Sequence, residues 1–321
     1  MRFAVRAPAS AANLGPGFDA LALALDLWNE IEIDTDGEPG RVAVLGSEAP
    51  LLNGRDDNYT LRAMQDLART HRRDLPPFAL TLCAEIPVAR GLGSSAAALV
   101  AGLLAADRLL ELKLGQAKIY QHAWAMEGHG DNVGAALYGG AVLAVAGVPE
   151  AIRLSDGTSL GLVAVVFIPE ATSATWAARA ALPATITHPD AAFNVGAAAS
   201  LVAGLLTGNR VAVAAGMHDR LHEPYRARLF PHLMPMTEAA REAGAIGACL
   251  SGAGPSILAL ADPADASAVE AAFCEVARVQ AVRGRVAVLR PQCQGAYVVE
   301  SNAQSAREPG AAPGREAAAG D

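Results

Sequence analysis

The chain has 321 residues, 52% of them hydrophobic but only 5% aromatic, so Ala, Leu, Val and Gly must pack its core. Lys and Arg number 25 against 33 Asp and Glu, a net charge of −8 with a pI near 5.4, and no basic block supplies the field that a polyanion binder requires. Nucleic acid and anionic membrane surfaces are excluded as expected partners, and the length indicates about two structural units.

The cysteines, Cys83, Cys249, Cys274 and Cys293, are too scattered for a zinc site or a disulfide framework. The first residues alternate apolar and polar and lack the unbroken apolar run of a signal peptide. The longest strongly apolar helical run, residues 96–106, is far shorter than the roughly 20 residues of a membrane span. A soluble, cytoplasmic protein is expected.

In chain order, period-two alternation predicts strands over residues 3–8 and 21–34, the second aligning Leu21, Leu23, Leu25 and Leu27 on one face. Further strands are predicted at 41–45 and 78–85, with a helix over 58–71 between them. Residues 91–95 open a long apolar helix to about 112, and a second helix over 116–127 ends in the polar turn EGHGDN. Beyond Pro149 the pattern predicts strands at 162–168, 247–250 and 256–261 and near Val286 and Tyr297, with helices at 174–181, 191–206, 233–243 and 264–278. The expected domains are 1–155 and 156–302, followed by an Ala/Gly/Pro-rich disordered tail, 303–321, without the large apolar residues that could offset ordering entropy.

Four segments carry chemistry. PVARGLGSSAA (87–97) leads a Gly/Ser turn into an Ala-rich helix, which suits an anion nest reinforced by a helix dipole. Its bland alternative is a helix capped by Ser94 or Ser95. No GK[ST] follows, so it is not a Walker A loop. Glu127 stands at a predicted helix C-terminus, where a carboxylate opposes the dipole, and with Ser95 it forms a suitable oxygen pair for Mg²⁺. GACLSGAGPS (247–256) can close over a ligand or serve as a plain hairpin turn. SAANLGPGFD (10–19) puts Asn13 and Asp19 on a loop between the first two strands. His218 and His222, spaced as i and i+4, would share a helical face, but no HExxH glutamate accompanies them.

Together these motifs resemble the GHMP kinase superfamily, and ANLGPGFD, HGDNV with Tyr138, PEATSATWAARAALP from Pro169 and EPYRARLFP from Glu223 resemble its homoserine kinases over residues 3–300. The resemblance implies an α+β, two-lobed GHMP kinase fold: an N-terminal lobe like the second domain of ribosomal protein S5, a ferredoxin-like C-terminal lobe, and ATP, Mg²⁺ and L-homoserine between them. It implies Asn13, Asp19, His129, Asn132, Arg179 and Arg226 at the amino acid, with Asp19 on its ammonium and the arginines on its carboxylate. It implies Asn58, Pro87, Val88, Ala89, Arg90, Gly91, Leu92, Gly93, Ser94, Ser95, Ala96, Ala97, Ser251, Gly252 and Gly254 at the nucleotide, and Ser95 and Glu127 at the metal. Asn132 would orient the hydroxyl, Thr175 would lie near the transferred phosphoryl, and Asp131 would be either a base or a structural carboxylate. The family usually has Lys-Glu where this chain has Trp176-Ala177, a loss that would either weaken nucleotide binding or shift the cation to another residue, with Arg90 the candidate. A homodimer is the family expectation. The alternatives are a GHMP kinase acting on threonine, mevalonate or a sugar, and a catalytically silent regulator of the same fold.

Overall fold

The structure is a computed structural model and describes residues 1–53 and 58–300. The expected tail at 303–321 lies outside the described residues.

The first lobe begins with a long antiparallel pair, β1 (Arg2–Asn13) and β2 (Gly17–Asp34), running from Arg2 opposite Asp34 to Asn13 opposite Gly17. Its register shifts after Pro8, which has no N–H to give the ladder. There follow β3 (Val42–Leu45), α1 (Ala49–Leu52), α2 (Tyr59–Thr70), β4 (Ala79–Cys83), α3 (Ser94–Leu109), α4 (Gln116–Glu127), α5 (Asp131–Tyr138), β5 (Ala141–Leu143) and β6 (Ile152–Ser155). Leu21, Leu23 and Leu25 of β2 are buried as predicted, Leu27 only partly.

α3 carries apolar residues on nearly every face and runs through the core. Gly102 lets α2 approach it closely, since a Cβ there would lie 2.5 Å from the Thr60 carbonyl oxygen. The polar turn predicted after residue 127 is shorter than expected. Asp131 and Asn132 already belong to α5, a helix interrupted by Gly134 and flanked by Gly130 and Gly139, which together obscure its period.

The second lobe is built from β7 (Val163–Pro169), α6 (Thr175–Ala180), α7 (His188–Thr207), α8 (Arg210–Gly216), α9 (Glu223–Arg226), α10 (Leu233–Glu242), β8 (Gly247–Leu250), β9 (Ile257–Ala261), α11 (Ala266–Val279) and β10 (Gly284–Leu289). Its antiparallel sheet has the order β10-β7-β9-β8, with α10 and α11 packed on it, which is the βαββαβ ferredoxin-like arrangement. A separate apolar cluster around Phe167, Phe230 and Phe273 fills the space beneath. α7 is long and apolar enough to cross a membrane by length and composition, a longer run than residues 96–106. It buries Leu201 and Leu205 in the main core, and its Asn194 donates to the Pro16 carbonyl and to Asp219.

The last strand, β11 (Tyr297–Glu300), departs from the expected division of the chain, because it pairs antiparallel with β1 in the first sheet. The seven-stranded sheet thus has the order β11-β1-β2-β4-β3, with β5 beside β2 and β6 beside β5. The segment before β11 is tied to the middle of β2 by Asp26 N–H to Arg290 O and Gln292 N–H to Ala24 O, both 2.9 Å.

Candidate active site

A cleft of about 760 Å³ lies between the two sheets, walled by the ends of β1 and β2, the segment leading into α3, the α4–α5 junction, α6 and the β8–β9 turn. Asn29 on β2 fixes one approach, since its Oδ1 accepts from the N–H groups of Glu85 and Ile86, each at 2.9 Å. The loop then turns through positive φ at Ala89, Gly91 and Gly93. A Cβ on Gly91 would lie 2.1 Å from the Ser251 carbonyl oxygen, and one on Gly93 would lie 2.1 Å from Ser10 Oγ, so both positions require glycine.

The N-cap of α3 is Gly93, and neither Ser94 nor Ser95 caps it. The alternative of an ordinary capped helix therefore fails. The first N–H groups of the helix and its positive dipole end are left for an anion.

Ser95 Oγ instead donates to Glu127 Oε1 at 2.5 Å, and Glu127 is the last residue of α4. Two oxygen donors at the foot of an anion cradle are the ligand type that Mg²⁺ accepts, so the residues present fit that ion. Asn58 lines the cleft and also caps α2, accepting from Leu61 N–H at 3.1 Å. Three of the residues expected at the nucleotide stand behind the wall. Ala96 is fully buried, as is Ser251, whose Oγ donates to the Gly91 carbonyl at 2.7 Å, whereas Gly252 and Gly254 do line the cleft.

Arg90 is the third, and here the sequence expectation is corrected. Its guanidinium turns away from the cleft, donating to Glu48 Oε2 and to the carbonyls of Val88, Pro169 and Glu170. It staples the loop to β7, so the cation missing at Trp176 is not supplied from this position. Among the described residues the other basic side chains of the cleft are Arg62, Arg179, Arg226 and His129.

At the far end, Asn13 Nδ2 donates to the Gly252 carbonyl at 2.8 Å, and its Oδ1 accepts from Asp19 N–H at 3.1 Å. Arg179 on α6 grips Asp19 with both nitrogens of its fork, at 2.7 and 2.9 Å. Arg226 is 2% exposed and donates to the carbonyls of Ala178 and Gly252. Burial, and then the nearby Arg179, lower its pKa to about 10, so it stays charged at neutral pH. His222 Nε2 bonds the Gly15 carbonyl at 2.8 Å, so that nitrogen bears the proton and Nδ1 accepts from Arg226 Nη1 at 3.2 Å. Burial lowers the His222 pKa and keeps the ring neutral. The segment holding His218 and His222 is not helical, and no shared metal face exists there.

Asp131 is 1% exposed, and its Oδ1 accepts from Asn132 N–H at 2.7 Å and from His129 Nδ1 at 2.6 Å. Burial opposes protonation of His129, but the hydrogen bond and charge of Asp131, with Glu127 and Asp19 behind them, hold its pKa above the usual value. Ser10 Oγ donates to Asn132 Oδ1 at 2.8 Å, which leaves the Asn132 amide group free to donate. Thr175 and the 75% exposed Trp176 line the cleft from α6. Sequence reasoning missed Ser10 and His222, each of which positions a site residue. For His222 the signal was present, four residues before Arg226, but the ring was paired with His218 instead.

The cleft can therefore hold a phosphorylated nucleotide at one end and a small molecule of mixed charge at the other. The GHMP kinases N terminal domain matches residues 58–140, and the GHMP kinases C terminal domain matches 201–279. Homoserine kinase of Thermosynechococcus vestitus is 40% identical over 92% of this chain and 98% of its own, and that of Moorella thermoacetica is 38% identical over 92% and 99%. The crystal structure of homoserine kinase from Cytophaga hutchinsonii superposes with a TM-score of 0.82 at 30% identity, covering 93% of this chain and 97% of that one. A mevalonate kinase from L. major, with a TM-score of 0.67 at 18% identity over 89% of this chain and 95% of its own, shares the fold. With this likeness extending over nearly its whole length, the chain belongs to the homoserine kinases of the GHMP kinase superfamily.

Proposed function

We propose that this enzyme transfers the γ-phosphoryl group of ATP to the side-chain hydroxyl of L-homoserine, releasing ADP and O-phospho-L-homoserine for threonine biosynthesis. One observation carries the substrate reading: a carboxylate, Asp19, and two guanidiniums, Arg179 and Arg226, line the same cleft as the uncapped, glycine-turned start of α3. A zwitterion needs that pairing of charges, and a sugar or mevalonate does not. In the resting cleft Asp19 and Arg179 neutralise each other. The incoming ammonium takes the place of Arg179 on Asp19, and the carboxylate takes Arg179 and Arg226 in the bidentate manner that guanidinium favours. Asn13 braces the turn through Gly252, and the Asp19 N–H is held by the same side chain.

The N–H groups of the loop and the head of α3 receive the phosphates, and Asn58 and Tyr59 line the nucleoside end. Ser95 and Glu127 would hold Mg²⁺, which supplies charge neutralisation on the nucleotide phosphates. Transfer through a loose transition state asks for alignment more than for a strong base. Asn132, its oxygen occupied by Ser10, donates through its amide and orients the acceptor hydroxyl. Asp131 already accepts two hydrogen bonds at one oxygen and is nearly closed to solvent, which favours an orienting role over that of a base. The hydroxyl proton passes to the transferred phosphoryl. His129, which Asp131 biases toward its charged form, and Thr175 line the same cleft and stabilise the negative charge around it.

A coupled ADP-release assay with Mg·ATP against L-homoserine, L-threonine, mevalonate and galactose tests the reading. Turnover is expected with homoserine at a kcat/KM well above the others. Turnover with another of the four in its place, or with none, would overturn it.

A further inference from the structure

A second cavity, also about 760 Å³, lies at the other end of α2 from the cleft. α2 gives Tyr59, Thr60 and Arg62 to the cleft but Gln65, Ala68 and Arg69 to this cavity, and β3 likewise gives Val44 to one and Val42 to the other. The floor is apolar, formed by Val42, Leu61, Ala68, Leu75 and Phe78. Around it stand four arginines, Arg41, Arg69, Arg72 and Arg73, with Asp74 as the wall's carboxylate. Asp66 holds Arg69, but Arg41, Arg72 and Arg73 have no ion-pair partner among the described residues.

The backbone brings these charges together at some expense. α2 ends with Arg72 N–H bonded to Arg69 O at 3.1 Å and Arg73 N–H bonded to Ala68 O at 3.0 Å, the paired closure in which the residue at Arg72 takes left-handed φ. Arg72 sits there at φ +53, where glycine is the usual occupant and a side chain costs about 1 kcal/mol. The helix dipole accounts for a basic residue or two in the last turn. It does not account for Arg41, which enters from the start of β3. Like charges around an apolar hollow repel one another, and in a chain of net charge −8 their concentration here calls for a counter-charge.

We propose that this cavity is a second binding site, for a small organic anion that carries two or more negative charges on an apolar body. The guanidiniums take the charged groups in bidentate fashion, and the floor takes the body. The volume falls in the range of small-molecule pockets, about 300–1,000 Å³, and a ring of arginines around a hollow suits such a ligand better than a flat membrane. The proposal is independent of the phosphoryl-transfer reading.

The test uses the full chain and bis-anilinonaphthalene sulfonate, an aromatic dianion that fluoresces on binding, with Mg·ADP at saturation in the cleft. One saturable dye site per chain is expected. Arg41→Ser with Arg73→Ser should weaken it about tenfold or more, and Arg278→Ser, an exposed arginine on α11 paired with Glu275, should leave it unchanged. Both variants should keep the parent thermal melt, and 0.5 M NaCl should weaken the dye on the parent chain as well. Dye affinity unmoved by the double substitution or by salt, or complete displacement by Mg·ADP, would overturn the proposal. So would co-sedimentation with phosphatidylglycerol vesicles in the absence of a saturable dye site.

Discussion

Replacing Asp19 by asparagine separates what the Asp19–Arg179 pair does for the fold from what it does for recognition. The two side chains are 35% and 40% exposed, so screening limits their contribution to stability to at most about 1 kcal/mol, a fall in Tm of about 2–4 °C. The effect on substrate is larger. A charge-assisted bond from the ammonium contributes about 1.5–3 kcal/mol, so KM for homoserine should rise about 10–150-fold while KM for ATP stays within about twofold. The variant also gives a sharper result. 4-Hydroxybutyrate has the carboxylate and hydroxyl of homoserine but no ammonium, and in the parent enzyme it can take Arg179 only by stripping Asp19 of its partner. Asparagine removes that penalty. The ratio of kcat/KM for homoserine over 4-hydroxybutyrate, measured in the ADP-release assay, should therefore collapse to within about tenfold. An unchanged ratio, or equal rises in both KM values, would refute the exchange of partners at Asp19.

Glu127→Gln should lower kcat about 100-fold or more and raise the Mg²⁺ concentration needed for half-maximal rate; a variant with parental Mg²⁺ dependence would remove Glu127 from the metal site. Gly93→Ala places a Cβ 2.1 Å from Ser10 Oγ and 3.2 Å from Asn132 Oδ1 at φ +71, so it should destabilise the fold by about 1–3 kcal/mol in denaturant melts and depress kcat by moving Asn132. Burial raises the Glu223 pKa from 4.5 to about 8, so its proton is held more tightly in the folded chain. That contribution to stability is complete below about pH 4.5 and is lost as pH rises to about 8; Tm should fall between about pH 4.5 and 8 and level off above, and Glu223→Gln should flatten the fall.

Local signals in the sequence mark the glycine turn proposed to hold the phosphates. Glycines at 91 and 93 followed by an Ala-rich run encode a left-handed turn into a buried helix, and the structure has both. The direction of a side chain within that loop is not local. Arg90 is turned outward by acceptors at Glu48, Pro169 and Glu170, two of them on the far side of the chain, and nothing in PVARGLGSS announces them. Ser10 and Asn132 meet across 122 residues for the same reason. The start of α5 reads as a turn because Gly128 and Gly130 precede it and Gly134 interrupts its short apolar period. β11 was visible as a strand, but four residues of alternating pattern do not say which sheet they join, and proximity in sequence suggested the wrong one.

The placement of β11 also bears on how the protein is made. β1 has β2 on one side and Tyr297–Glu300 on the other. During synthesis its second edge stays open, with Phe3 and Val5 close to unpaired backbone groups, until Tyr297–Glu300 has emerged. The first lobe's sheet is thus completed only after the ferredoxin-like lobe, and a nascent chain stalled before residue 297 would present an adhesive strand edge rather than a half-active kinase.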